Sequence, residues 1–270
     1  MSGIASAAEA AADPWRVDFA ATAAFHHVAP LAARLDGDDW PTLARLDTLA
    51  QTRGLCNQAG LPVRFAAQHR RCGQWDYEAA ILASGQVPSR EHNWHDLLNA
   101  LTWLAFPRAK AALNAVQCAE LERRRGTTRG PVSDAATLFD ESGLLLLAPD
   151  GELADLLAKR HWQAAFVDRR CLWERARVYA FGHALLEKLL SPWPGITAKC
   201  LFLKAEAVPE PGAPPDWLDA ALATLWQEGR ISRPAELFPL PVLGIPGWWA
   251  GNVDPAFYRD ASVFRPLRAG

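Results

Sequence analysis

The feature that most constrains the fold is an uninterrupted apolar run, Leu144 to Leu147, which ends at the turn Pro149-Asp150-Gly151. Consecutive apolar residues bounded by a turn are typical of a strand that is buried on both faces. A helical pattern follows the turn. The run therefore predicts a small sheet enclosed by other elements of the chain.

Helical periodicity dominates most of the remaining sequence. We expect a helix from Asp76 to Ser84 with Gly85 as its C-cap, and helices on both sides of Pro107. Short strand candidates begin at Pro62 and at Cys200. The sequence predicts an α+β protein, predominantly helical, with a small sheet. We expect residues 1–14 to form a flexible leader and residues 15–270 a single domain, with a Pro/Trp-rich strap over about 233–270.

Composition and charge argue against several classes of protein. Half of the residues are hydrophobic, enough for a substantial core, and 28 Lys and Arg nearly balance 30 Asp and Glu. No overall charge therefore favours nucleic acid. No apolar run approaches the roughly 20 residues of a membrane span, and we expect no secretory signal, because the first residues have no basic residue before Arg16 and no compact apolar core. Five scattered cysteines without C-x-x-C indicate neither a zinc ribbon nor a disulfide framework. We expect a cytoplasmic protein.

The stretch SREHNWHDLLNALTWLAFPRAKAALN, Ser89 to Asn114, places polar side chains on an apolar helix that stops at Pro107. His95, Asn99 and Thr102 form a stripe at i, i+4 and i+7, which can line a site. In the first turn the helix dipole favours a neutral imidazole. That suits a metal ligand or a base, and it equally suits a hydrogen-bonded core histidine.

Two neighbours of this stripe have a structural explanation. Asn93 as N-cap, with Asp96 at the third helical position, resembles a capping box. Arg90 precedes them and is a candidate anchor for an anionic group of a substrate. We therefore expect Asn93 and Asp96 to start the helix rather than to react.

A second helix is predicted from Arg170 to Leu190, and its apolar residues cover most of its circumference. His183 and Glu187 lie one turn apart on the face that we expect to be buried. Since an unpaired buried charge is costly, the two must be paired, hydrogen-bonded or bound to something. They can supply two metal ligands or an oriented base, or they can form a self-satisfying pair. Gly182 beside them permits close approach of another backbone.

Adjacent carboxylates stand directly before the apolar run. Asp140 and Glu141, in LFDESG, are predicted in a loop at the entrance to the strand, where catalytic groups often lie. They can share a metal or act as acid and base. Turn chemistry alone also explains the Asp-Glu-Ser-Gly sequence.

The C-terminal stretch Gly244 to Pro266 combines Trp248 and Trp249 with Asn252. Aromatic and amide side chains in a loop can bind a sugar, a base or a peptide. The alternative is a strap that inserts its aromatics into the core. Elsewhere, the basic run Arg123 to Arg125 at a helix end is either solvated or in contact with phosphate.

Several segments together resemble an uncharacterised proteobacterial family, the domain of unknown function 3025. They are VPSREHNWHDLLNALTWLAFPRAKAALN, SDAATLFDESG, FGHALLEKLL and the Trp-rich LPVLGIPGWW with the Asn, Phe-Tyr, Asp and VFRP that follow it. The resemblance covers roughly Pro62 to Pro266. It implies a stand-alone bacterial domain without an established activity, so it assigns no role to any residue.

The leading hypothesis is a cytoplasmic, metal-dependent hydrolase that acts on a small molecule with the help of one divalent metal. The candidate catalytic residues are His95, Asp140, Glu141, His183 and Glu187. The candidate metal ligands are His95, Asp140, His183 and Glu187. The candidate substrate contacts are Arg90, Asn99, Trp248, Trp249 and Asn252. The alternative is a non-catalytic binding module that contacts a partner through the Trp-rich segment or through Arg123 to Arg125.

Overall fold

The computed structural model describes residues 14–35, 37–68, 73–124 and 130–267. The helices are α1 (Ala29–Ala32), α2 (Leu43–Thr52), α3 (Gln74–Ser84), α4 (Trp94–Ala105), α5 (Pro107–Arg123), α6 (Pro131–Ser142), α7 (Glu152–Ala158), α8 (His183–Leu189) and α9 (Asp216–Gln227). The strands are β1 (Arg64–Ala67), β2 (Gln86–Ser89), β3 (Gly143–Ala148), β4 (Arg177–Ala180), β5 (Thr197–Lys204) and β6 (Phe238–Pro241). The leader predicted over residues 1–14 falls almost entirely outside the described residues.

The apolar run forms an inner strand of the larger sheet. In the described part of the chain this sheet has four strands in the order β4-β3-β5-β6. β3 is parallel to β5 and antiparallel to β4, and β6 is antiparallel to β5. Every residue of β3 is buried, as the run predicts. β1 and β2 form a separate parallel pair, and the α+β class with a helical majority is confirmed.

Aromatic side chains join the helices to the sheet. Phe181, directly after β4, contacts Phe106 between α4 and α5 (ring centroids 5.3 Å apart) and Phe139 of α6 (4.8 Å). Phe139 in turn contacts Trp226 of α9 (5.6 Å). Such pairs contribute about 0.5–1.5 kcal/mol each beyond the area they bury. α4, α6 and α8 are held against one another at this point, which fixes the positions of the polar residues that they carry.

The prediction of one continuous helix from Arg170 to Leu190 is wrong. The segment contains a 3-10 helix, a strand and a short helix: Arg170–Arg175, β4 and α8. Tyr179, which the helical pattern places beside His183, lies instead in β4 opposite Leu145. Val-Tyr favours a strand where a partner strand is present, and β3 supplies that partner. His183 and Glu187 still lie one turn apart, now on α8.

The loop predicted for Asp140 and Glu141 is also wrong. α6 continues through both residues to Ser142, and β3 begins directly at Gly143. Phe139 is fully buried and anchors the last turn of the helix in the core, which outweighs the local turn preference. The two carboxylates therefore have fixed helical positions instead of loop positions.

The C-terminal residues run over the surface in short 3-10 turns and insert aromatic rings. Tyr258 stacks on Phe166 (centroids 5.0 Å apart) and Phe264 meets the same ring at 5.8 Å. The Tyr258 hydroxyl oxygen lies 3.0 Å from the carbonyl oxygen of Gly244 and 2.9 Å from that of Asn252, so its one proton can be donated to either. These contacts attach the C-terminal residues to the core.

Two expectations from composition can be compared with the structure. Among the described residues, no helix combines the length and the apolar character needed to cross a bilayer. Cys56, Cys118, Cys171 and Cys200 are free thiols, and Cys72 lies outside the described residues.

Candidate functional site

Helix α4 begins with the N-cap that the sequence predicts. The Asn93 side chain accepts a hydrogen bond from the backbone N–H of Asp96 (3.1 Å). The Asp96 carboxylate does not return to Asn93. It accepts from the backbone N–H of Arg90 (2.7 Å) and from the guanidinium of Arg90 (2.8 and 2.9 Å). Only half of the predicted capping box forms, and the charge of Arg90 is already paired.

Two histidines from different helices face each other. His95 of α4 and His183 of α8 approach with their Nε2 atoms 2.9 Å apart. Their outer nitrogens face carboxylates: His95 Nδ1 donates to Glu187 Oε2 at 2.8 Å, and His183 Nδ1 lies 3.9 Å from Asp140 Oδ2. Each imidazole is therefore placed between a carboxylate and the other imidazole.

This arrangement restricts where the hydrogens lie. An ionised carboxylate only accepts hydrogen bonds, so Glu187 requires an N–H on His95 Nδ1. His183 Nδ1 has no hydrogen-bond partner among the described residues, and the charge of Asp140 at 3.9 Å favours an N–H there by electrostatics alone. When both rings are neutral and carry their hydrogen on Nδ1, the lone pairs of His95 Nε2 and His183 Nε2 are directed at each other; when either ring carries a hydrogen on Nε2, the two atoms form an N–H···N hydrogen bond. Lone pairs 2.9 Å apart repel unless a cation, either a proton or a metal ion, lies between them.

Glu141 completes a set of three metal-type ligands. Its Oε2 lies 3.7 Å from His183 Nε2, and one ligand atom from each of His95, Glu141 and His183 can be chosen so that all three lie within 4.8 Å of one another. Bonds of about 2.0–2.2 Å allow ligand atoms of one ion to lie about 4.4 Å apart at most. A shift of a few tenths of an ångström in the half-exposed Glu141 side chain meets that limit.

The two imidazoles have pKa values shifted in opposite directions. Burial lowers the pKa of His183 to about 3, against the opposing effect of Asp140. The hydrogen bond to Glu187 raises the pKa of His95, because it stabilises the imidazolium. His183 is therefore neutral at physiological pH, the form in which an imidazole binds a metal.

A buried lysine holds the carboxylate beside His183. Lys110 of α5 is only 4 % exposed and forms an ion pair with Asp140. Burial, the largest single effect, raises the pKa of Asp140, but the charges of Lys110, His183 and His95 and the hydrogen bond from Lys110 together outweigh burial, and the pKa is lowered. Lys110 also donates to Asn99 Oδ1 (2.9 Å) and lies 5.6 Å from the centre of the Trp103 ring. The Lys110 ammonium is therefore surrounded by a carboxylate, an amide oxygen and an aromatic ring.

Lys110 orients the Asn99 amide, and Asn99 in turn forms a hydrogen bond with a tyrosine. Because Lys110 has only donors, Asn99 Oδ1 must face it, and Asn99 Nδ2 then donates to the Tyr77 hydroxyl oxygen (2.9 Å). Burial raises the pKa of Tyr77 well above its usual value, so the hydroxyl keeps its proton. Thr102, the third member of the predicted stripe, only donates to the Leu98 carbonyl (3.0 Å).

A cavity of about 490 Å³ lies between α3, α4, α5, α6 and α8, and Tyr77, Asn99 and the two histidines line it, whereas Lys110 and Thr102 do not. Glu78 of α3 also lines it and is 6 % exposed. Burial and then the charge of Asp140 raise the pKa of Glu78 to about 7. One Glu78 oxygen, Oε2, accepts from Asn114 Nδ2 at 2.7 Å. The cavity thus contains a carboxyl group that can gain or lose a proton near neutral pH.

The structure brings most of the predicted site residues together. The cavity is lined by Arg90, His95, Asn99, Asp140, Glu141 and His183. Glu187 joins the group through its hydrogen bond to His95. Their catalytic, binding and metal-binding roles stay predictions.

The remaining predicted contacts lie elsewhere. Trp248 and Trp249 are half-buried against the core, and Asn252 is buried, its amide donating to the carbonyls of Leu243 (2.8 Å) and Ile245 (2.7 Å). The Arg123 guanidinium is paired with Glu120, and Arg125 lies outside the described residues.

Sequence reasoning missed the polar residues of α3 and α5: Tyr77, Glu78 and Gln117 line the cavity, and Lys110 and Asn114 hold the lining residues Asp140 and Glu78. Lys110, Asn114 and Gln117 recur at i, i+4 and i+7 along an alanine-rich helix, and all three are buried. That spacing marks one face of α5, and it is the sequence signal for a buried polar face on this helix. Tyr77 and Glu78, which lie opposite, carry no comparable pattern.

Fold and site define an α+β protein with a histidine/carboxylate cavity between helices. The sequence model of the family described as "Protein of unknown function (DUF3025)" matches residues 63–268, and the chain belongs to this family. The resemblance seen in the sequence is thereby confirmed. Neither the curated proteins nor the solved structures gave a significant match.

Proposed function

We propose that the protein is a metal-dependent hydrolase whose divalent ion is bound by His95, His183 and Glu141. The observation that carries this proposal is the pair of inward Nε2 atoms 2.9 Å apart, each on a ring whose outer nitrogen faces a carboxylate. Carboxylate–histidine–metal arrangements of this kind orient ligands in many metal sites. A bound ion would supply Lewis-acid activation of water and of the substrate.

Glu187 and Asp140 then orient the ligands instead of binding the ion. Glu187 Oε2 is taken by His95 Nδ1, and Asp140 is held by Lys110. Glu187 holds an N–H on His95 Nδ1, and the charge of Asp140, 3.9 Å from His183 Nδ1, favours the same tautomer of His183, so that both Nε2 atoms are directed at the ion. The sequence suggests Asp140 and Glu187 as metal ligands. In this proposal they instead hold the two histidines that bind the ion.

Glu78 is the residue suited to proton transfer. It lines the same cavity, one of its oxygens is held by Asn114, and its pKa of about 7 allows both protonation states. A general base is most effective when its pKa lies near the working pH. In the proposed reaction Glu78 takes a proton from the attacking water and returns it to the leaving group.

Two histidines with one carboxylate also form the ligand set of non-haem iron(II) oxygenases. The specific observation in favour of that second candidate is the set His95, His183 and Glu141 itself. Hydrolysis explains the near-neutral pKa of Glu78 better than oxygenation does, because hydrolysis needs a group that takes a proton from water and gives it to the leaving group.

The test is hydrolysis by the full chain supplied separately with Zn²⁺, Mn²⁺ and Fe²⁺. We expect turnover of at least one p-nitrophenyl ester, anilide or phosphate, lost on adding a chelator and reduced at least 10³-fold in Glu141→Gln. The exposed Glu228→Gln serves as the matched control. Turnover that persists in the chelator and in Glu141→Gln contradicts a metal-dependent reaction, and oxygen consumption with Fe²⁺ supports the second candidate.

A further inference from the structure

The Tyr77 hydroxyl is a hydrogen-bond donor that the fold has oriented in advance. Its oxygen accepts from Asn99 Nδ2 (2.9 Å), and Asn99 is fixed in that orientation by Lys110. Among the described residues none accepts the Tyr77 proton. Since Tyr77 lines the cavity that holds His95, Glu141 and His183, its O–H is free to donate to a molecule bound there.

The charges of the cavity argue against an anionic substrate. Sites for phosphoryl groups use Arg or Lys to bind the phosphate oxygens. Here the charge of Arg90 is paired with Asp96 and that of Lys110 with Asp140. Glu141 is a ligand of the proposed ion, and Arg90, the one Lys or Arg among the described lining residues, is not left unpaired for a phosphoryl group. A neutral molecule with an acceptor oxygen is the substrate class that these groups favour.

We propose that the cavity binds a neutral ester or amide and that the Tyr77 hydroxyl donates to its carbonyl oxygen, stabilising the negative charge that develops there. The inference rests on the proposed hydrolase function and adds a substrate class and a catalytic residue. Asn99 and Lys110 are positioning residues, because they act on the substrate only through Tyr77.

The reaction is a hydrolysis without redox change. The oxygen of water bonds to the carbonyl carbon, its proton passes to Glu78, and the electron pair of the C=O π bond moves to the carbonyl oxygen, where Tyr77 donates. When that pair returns, the bond to the leaving oxygen or nitrogen breaks and Glu78 gives the proton to the leaving group. The products are a carboxylic acid and an alcohol or amine.

The deciding variant is Tyr77→Phe, which removes only the hydroxyl. We expect kcat on p-nitrophenyl acetate to fall about 10²–10³-fold, the loss typical of one oxyanion donor, with KM changed less than about threefold. Metal content should stay at the wild-type level. Affinity for methyl phenylphosphonate, a tetrahedral analogue of the intermediate, should fall at least about tenfold by calorimetry.

Tyr179→Phe is the matched control, because the Tyr179 hydroxyl is buried and has no hydrogen bond within the described residues. We expect wild-type kinetics and phosphonate affinity from it. Wild-type turnover and phosphonate affinity in Tyr77→Phe overturn the role of Tyr77. Hydrolysis of bis(p-nitrophenyl) phosphate in preference to the ester overturns the substrate class, and both results leave the metal-dependent hydrolase standing. A wild-type chain without metal-dependent hydrolysis contradicts the hydrolase itself, and this inference with it.

Discussion

At the scale of single residues, the outer nitrogen of each histidine determines what the inner nitrogen can do. Glu187 accepts from His95 Nδ1 at 2.8 Å, which places His95 Nε2 opposite His183 Nε2 at 2.9 Å. Lys110 performs a comparable task for Asp140, keeping it ionised beside His183. The site therefore depends on residues that need not touch a metal or a substrate.

Glu187→Gln tests this supporting role. The amide holds the His95 ring less firmly, so we expect metal affinity to fall about 10–100-fold, the usual effect of removing such a partner. Because the Glu187 side chain is 41 % exposed, stability should change little. Competition with a chromogenic chelator measures the affinity, and the exposed Glu174→Gln is the control. Complete loss of metal binding would identify Glu187 as a ligand instead. An unchanged metal affinity would show that Glu187 does not support the binding of metal by His95.

At the scale of elements, the connection between β4 and α8 lies in close contact with the junction between α6 and β3, and this contact places α8 beside the carboxylates of α6. Gly182 lies against the α6–β3 junction, where a Cβ atom would come within 2.5 Å of the Glu141 oxygen and of the Ser142 and Gly143 nitrogens. All three are backbone atoms, which cannot rotate away as a side chain can. The close approach expected from the sequence is found, and it sets His183 beside Glu141.

Gly182→Ala should consequently separate the two elements. We expect a loss of about 1–3 kcal/mol in the free energy of unfolding, as for other overpacked sites, together with weaker metal binding. Urea denaturation and the chelator competition measure the two effects. Gly151→Ala is the control, because a Cβ atom at Gly151 meets nothing within 4 Å. Wild-type stability in Gly182→Ala would show that the junction has room to spare.

Elements with local signals could be predicted from sequence, and elements that depend on a partner could not. Asn93 and Pro107 mark the ends of α4 by cap and ring chemistry, and Leu144 to Leu147 marks β3 by continuous burial. β4 pairs with a strand some 30 residues earlier, and no local pattern contains that information.

The candidate site divides in the same way. His183 and Glu187 stand out because ionisable residues on a face expected to be buried need an explanation, and the structure gives one in the pair with His95. Tyr77 and Glu78 reach the cavity from α3 through tertiary packing alone. Spacing identifies which residues share a face, and only the fold determines what that face meets.

At the scale of the whole molecule, a buried histidine away from the cavity links stability to pH. His27 is completely buried, and burial, followed by the charge of His26, lowers its pKa to about 3. The unfolded chain binds a proton on this histidine below about pH 6.5, whereas the folded chain does not until about pH 3. The stabilisation is complete above pH 6.5 and is lost progressively as the pH falls towards 3.

His27→Leu should flatten that dependence. Within the window we expect its free energy of unfolding to fall less steeply with acid than that of the wild type, by up to about 1.4 kcal/mol per pH unit. Part of the slope should remain, because the pKa of His183 is also lowered to about 3. Urea midpoints at intervals between pH 4 and 7 measure it. Parallel curves for the two proteins would mean that His27 titrates normally in the folded chain.

The central claim is a metal ion between His95, His183 and Glu141, and metal stoichiometry measured by mass spectrometry tests it most directly. The full chain, incubated with Zn²⁺, Mn²⁺ or Fe²⁺ and desalted, should retain about one ion per molecule. His183→Gln should retain almost none while keeping its fold, and the exposed His161→Gln should match the wild type. A wild-type chain that retains none of the three metals, or a His183→Gln variant that binds them as well as the wild type, contradicts the account.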